Sequence, residues 1–336
     1  MTIIYAIIMI CILIFIHELG HFITAKLCGV KVNEFALGMG PVIVQRQKGE
    51  TMYSLRAIPI GGFCAMEGED EESDDEGAFN KKPAWKKAII LAAGAFMNLL
   101  MAVLLMIIVV YAIGFPTSTF DEVTKGSPAE KAGIITGDKV IEANGQKVDD
   151  WYDFTEIVEN ADKDKKLQLV IERDGEKITT SSGFTEIDGR KVIGVTAKYE
   201  RNAAKAIING PKATINMAKS MYTVLKQLVT GEVSTKDLSG PVGIVYMVDQ
   251  SVSQGFITFL YFTAMMSLNL AIVNMLPFPA LDGGRLIFVV IRKITGKAIT
   301  DNMEAIVHMV GMILLMLLMV YVTWQDIVRF VVPIFK

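Results

Sequence analysis

His17-Glu18-Leu19-Gly20-His21 closes a run of apolar residues that begins at Ile3. On an α-helix, residues four apart are offset by only about 40° around the axis, so His17 and His21 aim two imidazoles at one metal ion. Glu18 stands beside them, where a carboxylate can take a proton from water held at that metal. The residue types and spacing are those that bind Zn2+ and activate water for hydrolysis. Chance accounts for such a match in roughly 1% of chains of this length. The setting lowers that further, because a charged group at the centre of a membrane-length segment costs about 3 kcal/mol on insertion scales. The chain has three histidines, and two of them lie in this pentapeptide.

Two histidines leave such a site incomplete, since a catalytic zinc takes three protein ligands and an open position. Asp282 and His308 are the candidates for the third. Asp282 belongs to the stretch from Asn274 to Gly284, in which Pro277 and Pro279 break a helix and Gly283 and Gly284 permit close backbone approach. Irregular backbone at membrane depth is tolerated only where it lines a cavity. A helix-exit turn accounts for the glycines but not for Asp282 and Asn274 together. His308 stands alone near the start of the last apolar run, where a hydrogen-bonded core histidine is the simpler reading. Asn98, four residues after Gly94 in another apolar run, also needs a partner in hydrocarbon. An interhelical hydrogen bond and a direct role at the site are both open to it.

These residues must be positioned by membrane-spanning helices. Apolar residues make up 52% of the 336, charged residues only 21%, and the mean hydropathy is +0.42. Four runs reach the length of about 20 residues that a bilayer demands: roughly Ile3–Leu27, Ala88–Phe115, Phe256–Leu276 and Ala305–Trp324. The first lacks the basic start and small-residue cleavage site of a signal peptide and carries the motif, so it is expected to be retained. Lysines and arginines cluster between runs one and two and again after run three, which places those loops in the cytoplasm. Both termini and the long 116–255 segment then lie outside. The acidic run Glu67–Glu76 reads as a solvated loop. A net charge of −3 gives no reason to expect nucleic-acid binding. Cys11, Cys28 and Cys64 have neither metal-ligand nor disulfide spacing and read as small apolar fillers.

Between the first two runs, Gly38, Gly40, Gly61 and Gly62 punctuate two short strands, Pro41–Gln45 and Met52–Ile60. This hairpin either packs on helices or offers an edge to an extended peptide. Residues 117–198 change to soluble α/β character. Ser127-Pro128-Ala129-Glu130 is a capping box with proline at the first helical position. Asn144-Gly145 and Asp174-Gly175 are hairpin turns, and Asp150–Asn160 is amphipathic. Residues 203–229 form an amphipathic helix pattern after Pro211, suited to the membrane surface or to packing on the spans.

The phrase Gly126–Val148 resembles a PDZ domain, which implies a groove for an extended peptide or chain end beside the Asp150–Asn160 helix. With His17–His21, Gly94–Asn98, Leu238–Ile244 and Asn274–Gly284 in hand, the whole chain resembles the site-2 protease family of intramembrane zinc metalloproteases. It is most similar to the bacterial branch with one extracytoplasmic PDZ domain. Ala95 departs from the proline that many members carry there. The resemblance implies Zn2+ held by His17, His21 and Asp282, with Glu18 as general base. It further implies substrate contact by Asn274, and Asn98 is grouped with it. The implied fold is a polytopic α-helical membrane protein: four transmembrane helices, a membrane-associated β-hairpin and an inserted α/β PDZ domain. The divisions are residues 1–115 (two spans and hairpin), 116–198 (PDZ), 199–255 (linker with amphipathic helix) and 256–336 (two spans). The implied localisation is the plasma membrane, in contact with lipid. The implied substrates are single-pass transmembrane proteins such as anti-sigma factors or signal-peptide remnants. A catalytically inactive receptor or scaffold built on the PDZ domain is the alternative, and retention of Glu18 and Asp282 argues against it. A transporter would need an internal repeat that is not seen.

Overall fold

A computed structural model describes residues 2–69, 71–187, 190–231, 239–295 and 301–332. The chain forms two compact units, one of Met1–Met106 with Gly210–Lys336 and one of Ile107–Asn209. In chain order the elements begin with α1 (Thr2–Leu27), β1 (Val32–Lys48), β2 (Thr51–Met66) and α2 (Ala84–Ile113). Then come β3 (Phe115–Val123), α3 (Pro128–Lys131), β4 (Lys139–Ala143), β5 (Gln146–Lys147), α4 (Trp151–Asn160) and β6 (Leu167–Arg173). β7 (Glu176–Ser182), β8 (Thr185–Ile187), β9 (Arg190–Val192) and β10 (Val195–Glu200) complete the strands. The chain closes with α5 (Ala203–Thr230), α6 (Pro241–Ser253), α7 (Phe256–Asn274), α8 (Asp282–Thr295) and α9 (Asp301–Asp326).

Among the described residues, four helical stretches are long and apolar enough to cross a membrane: Thr2–Leu27, Ala84–Ile113, Phe256–Asn274 and Met303–Phe330. They are the four expected runs with shifted ends. The third stops at Asn274 because Pro277 cannot continue the ladder, and the second stops at Ile113, with Gly114 at φ 96° turning the chain into β3. In the first unit, Ala6, Met9 and Leu13 of α1 pack with Val248 of α6 and Phe262 of α7. Nearer its C-terminal end, Ala25 joins Phe35, Cys64, Ile90 and Leu91 from the strands and α2.

The β1–β2 pair is far longer than the two short strands expected. Gly38, Gly40 and Gly61 have φ of 86°, 80° and 93°, and the strands bend and bulge at these points instead of ending. Leu37 faces both Leu55 and Gly62, so the first half of β1 lies between two portions of β2. α5 covers the expected 203–229 and runs through Pro211 without ending there. Proline removes only one N–H bond, and Ala203, Ala204 and Ala206 ahead of it favour helix strongly.

The motif Leu238–Ile244 opens α6, with Leu238 itself outside the described residues. The Gly243 N–H donates to the buried Asp326 carboxylate at 2.7 Å. A Cβ at Gly240 or Gly243 would stand 3.0 or 3.1 Å from that carboxylate, so the glycines admit a negative charge to the positive end of a helix.

The second unit is an antiparallel sheet in the order β10-β3-β4-β6-β7, with β5 paired to β4 and a separate β8–β9 hairpin. Its core gathers Phe120, Ile134, Val140, Phe154, Leu167, Leu169 and Ile171. Asn144 and Gly145 have φ of 47° and 77°, and Asp174 and Gly175 have 52° and 84°, the left-handed pairs that tight hairpins require. Ser127 Oγ accepts from the Glu130 N–H, and Asp150 and Asp153 form the reciprocal cap of α4.

Candidate metal centre

One turn of α1 presents His17 and His21, both 7% exposed, with Nε2 atoms 3.3 Å apart. Asp282 Oδ2, from the first residue of α8, lies 3.1 Å from His17 Nε2 and 3.4 Å from His21 Nε2. Tetrahedral zinc with bonds of 2.0–2.1 Å separates its ligand atoms by about 3.3 Å. Among the described residues this trio is the one His/Cys/Asp/Glu group close enough to share a metal ion.

The hydrogen bonds around the trio fix what these atoms offer. His21 Nδ1 is 2.8 Å from the Ile90 carbonyl oxygen, which can only accept, so Nδ1 carries the proton and Nε2 presents a lone pair. His17 Nδ1 is 3.2 Å from the Asn98 carboxamide nitrogen, while Asn98 Oδ1 is buried without a partner. Turning the amide over exchanges two atoms of nearly equal size. Oδ1 then accepts from Nδ1–H, the orphaned oxygen is satisfied, and His17 Nε2 is left as a second lone pair. Asp282 Oδ2 is also buried without a hydrogen-bond partner. Three electron-pair donors thus converge with no proton between them, an arrangement that a divalent cation satisfies and that repels itself without one.

Glycines make this convergence possible. A Cβ at Gly94 on α2 would stand 2.4 Å from His21 Nε2 and 2.8 Å from His17 Nε2. A Cβ at Gly283 would meet the Leu276 oxygen at 2.4 Å, and one at Gly284 the Phe278 oxygen at 2.3 Å. The first turn of α8 therefore packs directly on the backbone that follows α7, which brings Asp282 back to α1.

A cavity of about 220 Å³ opens on His17 and Asp282 of the trio, lined also by Glu18, Asn274, Ile14 and Leu281 among others. The Cys64 backbone N–H on β2 is turned toward the Glu18 carboxylate, and Gly62 of the same strand lies beside the Glu18 side chain. The Asn274 carboxamide nitrogen is 3.3 Å from His17 Nε2. Asn98 belongs elsewhere: it is fully buried on α2, behind the His17 ring and away from the cavity. Its backbone oxygen accepts from Ser267 Oγ at 2.7 Å. The Asn98 amide therefore meets the Nδ1 side of the His17 ring and is not among the residues lining the cavity. His308 is not in the trio; its Nδ1 accepts the Ala280 N–H at 2.8 Å. Sequence reasoning missed the Ile90 carbonyl and the Cys64 N–H, because backbone groups carry no residue-type signal.

Comparison with known proteins finds relatives over most of the chain. The family model described as Peptidase family M50 matches residues 5–318. A Clostridium acetobutylicum protein with a provisional zinc-metalloprotease name is 39% identical over 97% of this chain and 97% of its own length. Regulator of sigma-W protease RasP of Bacillus subtilis is 31% identical over 98% of each chain. Zinc metalloprotease RasP of Oceanobacillus iheyensis is 33% identical over 98% of this chain and 99% of the relative. Among solved structures, the PDZ domain of an SdrC-like protein from Listeria monocytogenes covers 25% of this chain and 90% of that one, at 17% identity and TM-score 0.23.

Proposed function

The chain belongs to peptidase family M50 and is a multi-pass zinc metalloprotease of the site-2 type, and on that footing we propose how its residues divide the work. His17, His21 and Asp282 hold Zn2+, Glu18 is the general base, and Asn274 and β2 receive the substrate backbone. The observation that carries this is the convergence of three ligand-type atoms within 3.1–3.4 Å of one another.

When bound, Zn2+ supplies Lewis-acid polarisation of the scissile carbonyl and makes the attacking water more acidic. Glu18 takes the proton of that water and returns it to the leaving amine. The Cys64 N–H, turned toward that carboxylate, is placed to orient it for both transfers. Asn98 fixes the ring orientation of His17 and keeps its proton on Nδ1, so that Nε2 faces the metal.

A transmembrane substrate helix has every backbone group satisfied, and its peptide bonds are shielded until it unwinds. Unwinding exposes N–H and C=O groups that need replacement partners. The β2 segment Gly62–Met66 pairs with β1 along one edge, while its Cys64 N–H points the other way, toward Glu18. That second edge supports strand addition by the unwound segment beside the catalytic carboxylate, with the Asn274 amide as a further donor. Exposed Met39, Val42, Ile43 and Val44 on β1 support seating of this hairpin in the membrane.

The segment with Lys81 and Lys82, the start of α2 with Lys86 and Lys87, and the basic end of α8 are assigned to the cytoplasm, with the metal site toward that side and both termini outside. Residues 116–198 are assigned as an extracytoplasmic PDZ domain. A groove of about 180 Å³ between α4 and the β9–β10 segment, lined by Trp151, Phe154, Val158 and Ile193, supports peptide or chain-end capture on the substrate's outer portion. The name of the B. subtilis relative, regulator of sigma-W protease, supports a regulator of a sigma factor as substrate class.

Metal analysis tests the ligand assignment. Asp282→Ala should purify with far less zinc than the parent; an unchanged zinc content would remove Asp282 from the metal site.

A further inference from the structure

His308 lies on α9, a helix that contributes nothing to the metal trio, and sequence reasoning leaves it as a core histidine. The structure gives it a specific acceptor role. Its Nδ1 takes the N–H of Ala280 at 2.8 Å. Ala280 has φ 75° and is a non-glycine residue in the left-handed region, two positions before Asp282. An L-residue with a Cβ adopts that conformation only where the surroundings hold it.

Other contacts from the same helix secure the same segment. A Cβ at Gly311 would stand 2.5 Å from Pro279 Cβ and 2.7 Å from the Pro279 oxygen, so α9 lies directly on the turn. The His308 ring packs on Phe288 of α8 with centroids 5.5 Å apart. Glu304, one turn earlier on α9, pairs with Arg292 of α8 at 2.6 Å. The turn and the helix it starts are therefore both gripped from α9, and the product of that grip is the placement of Asp282 Oδ2 against two imidazoles.

We infer that His308 is a positioning residue for the metal site: by accepting the Ala280 N–H, it holds the left-handed turn that aims Asp282 at the zinc. This rests on Asp282 being a ligand. It requires an acceptor at the Nδ1 position of the ring and no charge. The carboxamide of asparagine can set an oxygen close to that position, whereas that of glutamine reaches toward the Nε2 position and leucine offers no acceptor.

The test uses purified full-length protein in detergent, with zinc affinity measured by competition against a chromophoric chelator and thermal unfolding of the metal-free form as a fold control. His308→Leu and His308→Gln should lose about 10- to 100-fold in zinc affinity, the range for removing a group that orients a ligand, while His308→Asn should stay within about threefold of the parent. If His308→Leu fails to fold, the contrast between Asn and Gln decides alone. Equal affinities for those two, or a parental affinity for His308→Leu, would overturn the inference. Asp282→Ala is measured alongside. Zinc loss there without loss in His308→Leu refutes the positioning role only, whereas parental affinity in Asp282→Ala refutes the ligand assignment beneath it.

Discussion

Replacement of Gly94 by alanine sets two effects of opposite sign against each other. Within a helix, alanine is favoured over glycine by about 1 kcal/mol, so on helix propensity alone Gly94→Ala should stabilise α2. The new methyl, however, would lie 2.4 Å from His21 Nε2 and 2.7 and 2.8 Å from His17 Cε1 and Nε2. Non-bonded heavy atoms rest at about 3.5 Å, so the imidazoles must retreat by about 1 Å. Zinc sites tolerate about 0.2 Å in their bond lengths, and disturbing the groups that orient zinc ligands costs up to about 100-fold in metal affinity. A 100-fold loss of zinc affinity corresponds to about 2.7 kcal/mol, which exceeds the gain in helix propensity. The assay is chelator competition for zinc, with melting temperatures recorded in detergent with and without EDTA. The metal-free variant should melt at or slightly above the metal-free parent, and zinc should raise the melting point of the parent but not of Gly94→Ala. A variant that binds zinc like the parent would refute the placement of both histidines beside α2.

Asn98→Leu, which keeps the volume and removes the carbonyl, should lower zinc affinity about 10- to 100-fold, whereas Asn98→Asp should keep it within about threefold; chelator competition measures both. In a background without native cysteines, a membrane-impermeant thiol reagent should label a cysteine at position 163 in intact cells and leave one at position 74 unlabelled, and equal labelling would overturn the assigned topology. Deleting residues 117–198 should let the enzyme cut a substrate whose outer domain has not been trimmed, read by immunoblot. A deletion variant that is inserted and zinc-loaded yet inactive on trimmed substrate would show that the domain supports the catalytic core.

The metal site was legible where chemistry coincides with a helical period or a turn signal. His17 and His21 face one way because they are four residues apart, and Pro277, Pro279, Gly283 and Gly284 announce the tight return that carries Asp282. The turns at Asn144-Gly145 and Asp174-Gly175 and the caps at Ser127 and Asp150 were legible for the same reason: few residue types satisfy those backbone conformations. Gly38, Gly40 and Gly61 misled, because a glycine in the left-handed region can bend a strand as well as end it, and only pairing across the ladder decides between them. Asn98 was legible only as a residue in need of a partner. A polar residue in an apolar helix signals that a partner exists, but its rotation against α1, set by the close approach of Gly20 to the Ala93 oxygen, determines which partner. His308 was legible as a bonded histidine and not as a support for Asp282, since its acceptor role depends on a chain reversal that brings α9 onto Ala280.

Cleavage of a synthetic transmembrane peptide in liposomes by parent and Glu18→Gln, with zinc content determined on the same samples, tests the proposed mechanism most directly. Glu18→Gln should retain one zinc per chain, because His17, His21 and Asp282 are untouched, and should cut at least about 100-fold more slowly, because the group that moves the proton is gone. A zinc-loaded Glu18→Gln enzyme with near-parental turnover would contradict the assignment of Glu18 as the base.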